Sequence, residues 1–411
     1  MHRSFELRLP IGRQAAIGPR PRMGVVIHDF ALGGTERIAV RLANHWSLLG
    51  VEVELFCGAR SGPLIDLLHP SVKLAGPELP IARGRGSLRR LALAARAHFA
   101  AHPVDAVYIP GNTHWPVAGP LASLPAAIRP RIIAQVSAAL SKPQRGPLRQ
   151  RLFEHRMRSR LRHVDQVVGM CWGAARQAGR MLGRTDVTAI PLPALGQRRE
   201  RLRAPVAGDA PVIFAASRLV PGKGIETLVR AFAAARHPLA RLVIAGSGPN
   251  EVAIRALVSE LGLEARVQLL GYVPDIRPWL DRASFLAMPS EHEGYGAVII
   301  EALAAGRPVL ATDCSPAVHE LLHDPQAGQV VPICDVGALA RGIEQMLARP
   351  AVDPAALAAL VERFRIGPVA RRYLSLVGIA PGFDGQAARL LVSANDTAAL
   401  AADCAMERAA L

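Results

Sequence analysis

Short runs of β-branched and other apolar residues alternate along the chain with longer stretches in which apolar positions recur every three or four residues. In the first half the runs predict strands at Met23–His28, Val51–Phe56, Ala106–Ile109, Arg131–Val136, Val164–Gly169 and Val187–Ile190. Near-continuous apolar runs of this length suit parallel strands covered on both faces. Helical spacing fills Thr35–Leu48 and Leu88–Ala101 between them. In the second half strands are expected at Val212–Ala216, Leu242–Ala245, Val267–Leu270, Phe285–Met288, Val309–Thr312 and Gln329–Val331, each followed by Gly, Pro, Ser or Asp. Such alternation is the pattern of a doubly wound α/β domain, here two in series. Each would carry its ligand edge at the strand C-termini, so the two should face each other across a cleft. The expected division is a disordered basic leader over 1–22, a first α/β domain over 23–197, and a polar, Arg-rich linker over 198–211. A second α/β domain covers 212–350, and helices with an Ala-rich tail cover 351–411.

Composition sharpens this picture. Of 411 residues, 50% are hydrophobic and 20% charged, a globular balance with enough chain for a large core. The net charge is +16, and it is lopsided. Residues 1–205 hold 31 basic and 12 acidic side chains, the remainder 18 and 21. A basic half implies an anionic partner: a membrane surface, a nucleic acid or a phosphorylated substrate. Nucleic acid is the weakest of these, because aromatics are 4% of the chain and no stacking platform is evident. The basic residues concentrate in two segments. Residues 142–163 carry eight Lys/Arg and one acid around Leu148, Leu152, Met157 and Leu161. Residues 83–99 set Leu88, Leu91 and Phe99 against Arg83, Arg85, Arg89, Arg90 and Arg96. Helices of this kind suit a membrane interface or a lipid-diphosphate acceptor. Alternatively their apolar stripes pack on the first sheet and leave the arginines solvated.

Five scattered cysteines, Cys57, Cys171, Cys314, Cys334 and Cys404, argue against a disulfide framework or a structural zinc and fit a reducing cytoplasm. No charge-free apolar run reaches about 18 residues, so no transmembrane helix is expected. The arginines near the N-terminus lack an apolar partner segment, so no secretory signal is read there.

Three loops carry candidate chemistry. Ser217–Gly224 follows a strand and precedes a helix, and it sets Arg218 and Lys223 five residues apart across a Pro-Gly turn, a pair suited to a diphosphate. It is not a Walker loop, since the Gly-x4-Gly-Lys-Ser/Thr spacing is absent. In Pro289–Gly296 the glycines Gly294 and Gly296 free backbone N–H groups at a helix mouth. Glu293 sits in that loop and Glu301 in the helix beyond it, where sugar or ribose hydroxyls would partner a carboxylate among apolar neighbours. Gly33-Gly34 before the first helix is a weaker cradle of the same type.

Together these segments resemble the retaining glycosyltransferases with two Rossmann-like domains, glycosyltransferase family 4. The motifs are "GGTER", "SRLVPGKG", "LVIAGSGP", "LLGYVPD" and "PSEHEGYGAVIIEALAAGRPVLATD", the last containing the family's Glu-x7-Glu pair, here Glu293 and Glu301. The resemblance is strong over residues 212–347 and limited to "GGTER" and strand pattern in the first domain. It implies α/β architecture with two Rossmann-like doubly wound domains facing across a cleft (GT-B type). It implies that Arg218 and Lys223 hold the donor diphosphate, Glu301 the nucleotide ribose, and Glu293 the neighbourhood of the transferred sugar. Gly294, Tyr295 and Gly296 would lie under sugar and phosphates, Gly33 and Gly34 would close on the diphosphate, and Tyr272 and Val273 would meet the nucleobase.

Family members often carry a His at a strand end of the first domain. Here that region reads Val107–Trp115, and His114 is the candidate catalytic His, with a plain loop His beside Trp115 as its alternative. The segment before the linker, "IPLPAL", departs from the family's usual Asn-Pro. The chain has no Asp-x-Asp, so neither a metal nor another cofactor is expected, and cationic side chains with helix N-termini would stabilise the leaving diphosphate. The implied function is transfer of a sugar from a nucleotide sugar to a glycan or lipid-linked acceptor in cell-envelope polysaccharide or glycolipid synthesis. The expected location is cytoplasmic, peripheral at the inner face of the membrane. The alternatives are an epimerase or phosphorylase of the same architecture, or a non-catalytic basic membrane-surface protein.

Overall fold

The computed structural model describes residues 20–31, 33–137, 140, 146–197, 201–203 and 210–380. The expected leader up to residue 19, most of the linker and the Ala-rich tail beyond residue 380 lie outside the described residues. The first half forms a seven-stranded parallel sheet from β1 (Arg22–Ile27), β2 (Glu52–Cys57), β3 (Lys73–Ala75), β4 (Ala106–Ile109), β5 (Arg131–Val136), β6 (Gln166–Gly169) and β7 (Thr188–Ala189). Their spatial order is β3-β2-β1-β4-β5-β6-β7. The second half forms a six-stranded parallel sheet from β8 (Val212–Ala216), β9 (Arg241–Ala245), β10 (Val267–Gly271), β11 (Phe285–Met288), β12 (Val309–Thr312) and β13 (Gly328–Val331). Here the order is β10-β9-β8-β11-β12-β13. Central strands such as β4, β11 and β12 are buried at every position because helices cover both faces.

In both sheets the strand order reverses beside the first strand, between β1 and β4 and between β8 and β11. The loops leaving those strands flank a crevice at the C-terminal edge, the place where open α/β sheets bind ligands. The two edges meet. A Cβ added to Gly294, in the loop after β11, would stand 3.2 Å from the carbonyl oxygen of Ser137, just after β5. After β6, the Trp172 N–H donates to Glu320 Oε2 at 2.8 Å, and Gly173 lies against Pro316, both partners coming from the loop and helix after β12.

The chain ends by returning to the first sheet. Helix Ile366–Leu376 packs on helix Gly34–Leu48. Trp46 Nε1 donates to the Ala370 carbonyl at 3.0 Å, and Gln135 Nε2 donates to the Tyr373 hydroxyl at 2.9 Å. Trp46, Tyr108 and Tyr373 meet edge to face. This helix therefore couples the two halves. His45, on the same contact, is buried, and burial followed by the charge of Arg371 lowers its pKa to about 4. The folded state holds it neutral, while an unfolded chain protonates it near pH 6.5. Between pH 6.5 and 4 the unfolded state therefore binds the extra proton, and stability falls as pH falls, by about 3 kcal/mol for this group. A urea titration at pH 7 and pH 4.5 should show that loss, and His45→Leu should shrink it; an equal loss in the variant would contradict the assignment.

The two basic segments behave differently. In helix Ser87–Ala101, Leu91 and Phe99 are fully buried on the sheet and Leu88 is half-buried. Arg83, just upstream, is tied to Asp29 and Glu36. Of the stripe expected over residues 83–99, Leu91 and Phe99 are spent on the first domain's own core, as one-faced helices usually are, while Leu93 stays 53% exposed near Arg89 and Arg90. In helix Gly146–Leu161 only the C-terminal half packs, with Met157 and Leu161 buried, while Leu148 and Leu152 stay 78% and 49% exposed. Residues 142–145 lie outside the described residues.

Candidate active site

The loop after β8 and the loop after β11 are locked together by glycine geometry. Gly224 has φ +66°, and a Cβ there would stand 2.0 Å from the Pro289 carbonyl oxygen, so only glycine allows the approach. The Glu291 N–H donates to the Gly222 carbonyl at 2.9 Å. In the loop after β9, Gly246 and Gly248 approach the Ser217 and Leu219 carbonyls in the same way. Residues seventy positions apart are thereby brought into register. Lys223 Nζ donates to Glu293 Oε1 at 2.6 Å, and Ser290 Oγ donates to the same oxygen at 2.8 Å. Both charged side chains keep just under a fifth of their surface exposed, so the pair is sheltered yet reachable.

Around this pair stand the other residues expected from sequence. Arg218 is exposed on the first loop and has no ion-pair partner among the described residues. Gly296, at φ +87°, caps helix Ala297–Ala304, whose N-terminus opens beside Glu293. Glu301 is half-buried on the second turn of that helix, between buried Ile300 and Ala302. Tyr272 and Val273 follow β10, the edge strand two places from β8, and no hydrogen bond joins them to Lys223 or Glu293. The thiol of Cys314 lies near enough to feel Glu293. Burial first, then that carboxylate, push it up to about 11, so it stays a protonated thiol at neutral pH.

Tyr295 departs from expectation. Its ring is buried and stacks edge to face on Phe364 at 5.9 Å, so the side chain faces the C-terminal helices and only its backbone belongs to the loop. Burial holds its phenol well above the ordinary value.

On the first domain, Gly33 caps helix Gly34–Leu48 without a side-chain cap. A Cβ on Gly33 would meet Glu36 Oε2 at 2.2 Å, so the glycine makes room for a carboxylate folded back beneath the loop. Arg83 binds that carboxylate at 3.0 Å and grips Asp29 with two nitrogens. Burial raises the Asp29 pKa, but the hydrogen bonds from Arg83 and the Ala31 N–H outweigh it and hold the group below the usual carboxylate range. The loop is wired to the opposite domain: a Cβ on Gly111 would touch both Thr35 and Ser137, and Ser137 in turn faces Gly294. A continuous run of contacts thus leads from Gly33-Gly34-Thr35 through Gly111 and Ser137 to Gly294 and Glu293. Asp29, Thr35, Asn112, Ser137 and Ser290 were not legible as site residues, since short polar side chains in βα loops and helix starts are common and only the contacts made in the fold single them out.

His114 is corrected as the catalytic histidine. It is 1% exposed, its Nε2 accepts the His28 N–H at 3.1 Å, and its Nδ1–H donates to the Pro110 carbonyl at 2.8 Å. With both nitrogens engaged, the ring has no position left for a substrate proton. Burial also depresses its pKa, so it is a neutral structural brace for the loops after β1 and β4.

Comparison with known proteins agrees with this architecture in both halves. Residues 33–193 match the glycosyl transferase 4-like domain, and residues 210–349 match glycosyl transferases group 1. Over 186 residues the chain is 33% identical to the lipopolysaccharide core biosynthesis glycosyltransferase LpsE of Rhizobium meliloti, a stretch covering 44% of this chain and 54% of that protein. The chain thus spans about half the length of that curated relative, and less of the next ones. The apo form of the lipopolysaccharide outer core galactosyltransferase WaaB superposes with TM-score 0.70 at 16% identity, over 87% of this chain and 99% of that one. Anabaena Alr3699/HepE in complex with UDP superposes with TM-score 0.68 at 18% identity, over 86% and 98% of the two chains. Two facing parallel sheets, each matched by its own domain model, place the chain in the GT-B glycosyltransferases, with the motifs of glycosyltransferase family 4.

Proposed function

We propose that the protein moves a sugar from a nucleoside-diphosphate donor to a glycan or lipid-linked acceptor, with retention of configuration, in the synthesis of a cell-envelope polysaccharide or glycolipid. The observation that carries this reading is the Lys223–Glu293 pair, held at the crevice between β8 and β11 beside a helix N-terminus. A departing nucleoside diphosphate develops charge in the transition state, and stabilisation aimed at that charge is what lowers the barrier. Lys223, Arg218 and the backbone N–H groups of Gly294–Ala297 are the cationic and dipolar groups available for it. Glu293 orients the ammonium and lies beside the sugar position, where a carboxylate favours an oxocarbenium-like centre. Glu301 takes the ribose hydroxyls. The relatives support the class: one acts in lipopolysaccharide core synthesis, and a structural neighbour holds UDP. Incubation with a panel of nucleotide sugars, followed by chromatography of released nucleoside diphosphate, tests the reading. One donor class should be consumed; inertness toward every donor with extracted envelope glycolipid as acceptor would overturn it.

The same reading places the protein against the cytoplasmic face of a membrane. Among the described residues no helix is long and apolar enough to cross one. Support comes from the exposed Leu148 and Leu152 beside Arg149, Arg151 and Arg156 on helix Gly146–Leu161. At about 1 kcal/mol per basic residue near an anionic surface, Leu148→Ser with Arg151→Gln should weaken binding to anionic liposomes roughly tenfold. Wild-type binding should fall as salt approaches about 0.5 M, where screening is strong. Binding that ignores both salt and substitution would remove this helix from the membrane contact.

A further inference from the structure

A groove of about 360 Å³ opens on the first domain between helix Gly146–Leu161 and the turn Asn112–Val117. Its floor is apolar, offered by Leu152 and Phe153 with the buried Trp115 and Met157 behind them. Its rim is cationic, made by Arg149, Arg156 and Arg160. The spacing explains the arrangement: positions 149, 153, 156 and 160 fall on one helix face. The helix's acid points elsewhere. Glu154 accepts from Gln150 at 3.0 Å and pairs with Arg158 at 4.0 Å, while Arg158 binds the Met181 carbonyl and so pins the helix to its neighbour. None of the three rim arginines is ion-paired among the described residues. Burial, then the adjacent charge of Arg156, hold the pKa of Arg160 below the ordinary guanidinium value. Like charges gathered around an apolar floor complement an anion that has an apolar body. A small hydrated anion would use the rim and gain nothing from the floor.

The groove also lies at the right address. Asn112, part of its lining, accepts the Ser137 N–H at 2.9 Å and donates its own N–H to Ser137 Oγ at 3.3 Å. The Ser137 carbonyl is the group that faces Gly294, next to Glu293. The groove's lining is thereby linked, through Asn112 and Ser137, to the donor loop.

We infer that this groove seats the acceptor as a phosphorylated amphiphile, its phosphate on Arg156 and Arg160 with Arg149 beside them, and the start of its apolar chain over Leu152 and Phe153. The inference rests on the transferase reading and deepens it by naming the acceptor's chemical class. The test uses the full chain and three probes: dodecyl phosphate, a neutral dodecyl glucoside and inorganic phosphate, each titrated by calorimetry. Dodecyl phosphate should bind at least tenfold more tightly than either of the others, and inorganic phosphate should compete with it. R156Q/R160Q should weaken dodecyl phosphate at least tenfold, while R156K/R160K keeps part of the affinity and Arg230→Gln, on the second domain, changes nothing. Nucleoside diphosphate binding to R156Q/R160Q serves as the check that the protein is folded. Equal binding of the glucoside, equal binding of inorganic phosphate, or dodecyl phosphate binding indifferent to R156Q/R160Q would overturn the assignment. A wild-type protein that consumes a nucleotide sugar yet ignores dodecyl phosphate loses the groove and keeps the transferase reading; one that binds dodecyl phosphate but consumes no donor loses the acceptor role.

Discussion

Lys223→Ala should lower turnover of the nucleotide sugar by about 100-fold or more while the far-ultraviolet circular dichroism stays that of the wild type. Losing one preorganised charge-stabilising donor at a developing anion costs about that much in other acyl- and group-transfer sites. Two features of this loop push the effect upward. Gly224, fixed by its contact with the Pro289 carbonyl, leaves the neighbouring backbone no freedom to bring another donor into place. The variant also frees Glu293 from its 2.6 Å partner, so an uncompensated carboxylate would face the diphosphate. The defect should fall mainly on kcat, because the stabilised charge is largest in the transition state. Lys223→Arg should recover little, since a planar guanidinium does not reproduce a point ammonium held by one carboxylate oxygen. Steady-state kinetics with the preferred donor measure this; unaltered turnover in Lys223→Ala would remove the diphosphate role.

Glu301→Gln should show the opposite signature. A carboxylate receiving two ribose hydroxyls contributes in the ground state and the transition state alike, so its loss raises KM and leaves kcat nearly level. Hydrogen bonds to a charged group are worth about 1.5–3 kcal/mol, which corresponds to a rise in KM of roughly 10- to 100-fold. Its place on the second turn of helix Ala297–Ala304, flanked by the fully buried Ile300 and Ala302, keeps the backbone rigid, so the effect should stay local. A 2′-deoxy donor should lose less affinity in the variant than in the wild type. If KM holds and kcat collapses instead, Glu301 acts on the reacting sugar and the two carboxylates exchange roles.

The strands were legible because a parallel strand covered on both faces must be apolar along its length, as in Phe285–Met288 and Val309–Thr312. The crevice loops were legible for a related reason: Gly222, Gly224 and Gly296 occupy positive φ values, and such turns advertise themselves in sequence. What escaped depends on contacts distant in the chain. β3 has only Ala75 buried among its three residues, too short a run to show a period. Nothing in Ile366–Leu376 says that its apolar face returns to Trp46 and Gln135, more than two hundred residues earlier. His114 read as a reactive loop residue because one sequence cannot reveal that the His28 N–H and the Pro110 carbonyl consume both of its nitrogens. The arginines of Ser87–Ala101 and Gly146–Leu161 looked alike in composition, yet Leu91 and Phe99 are buried in the first while Leu148 and Leu152 stay exposed in the second, since burial is settled by which sheet face each helix meets.

The central claim is that the crevice between β8 and β11 holds a nucleoside diphosphate through Lys223. Thermal unfolding of the full chain with uridine, guanosine, adenosine and thymidine diphosphates, each beside its nucleoside, tests it most directly. A ligand at 100 times its dissociation constant adds about 2.7 kcal/mol to stability, a shift easily resolved. The account predicts stabilisation by at least one diphosphate, little by the matching nucleoside, and loss of the difference in Lys223→Ala. No shift with any diphosphate at millimolar concentration, or a shift that Lys223→Ala leaves intact, would contradict it.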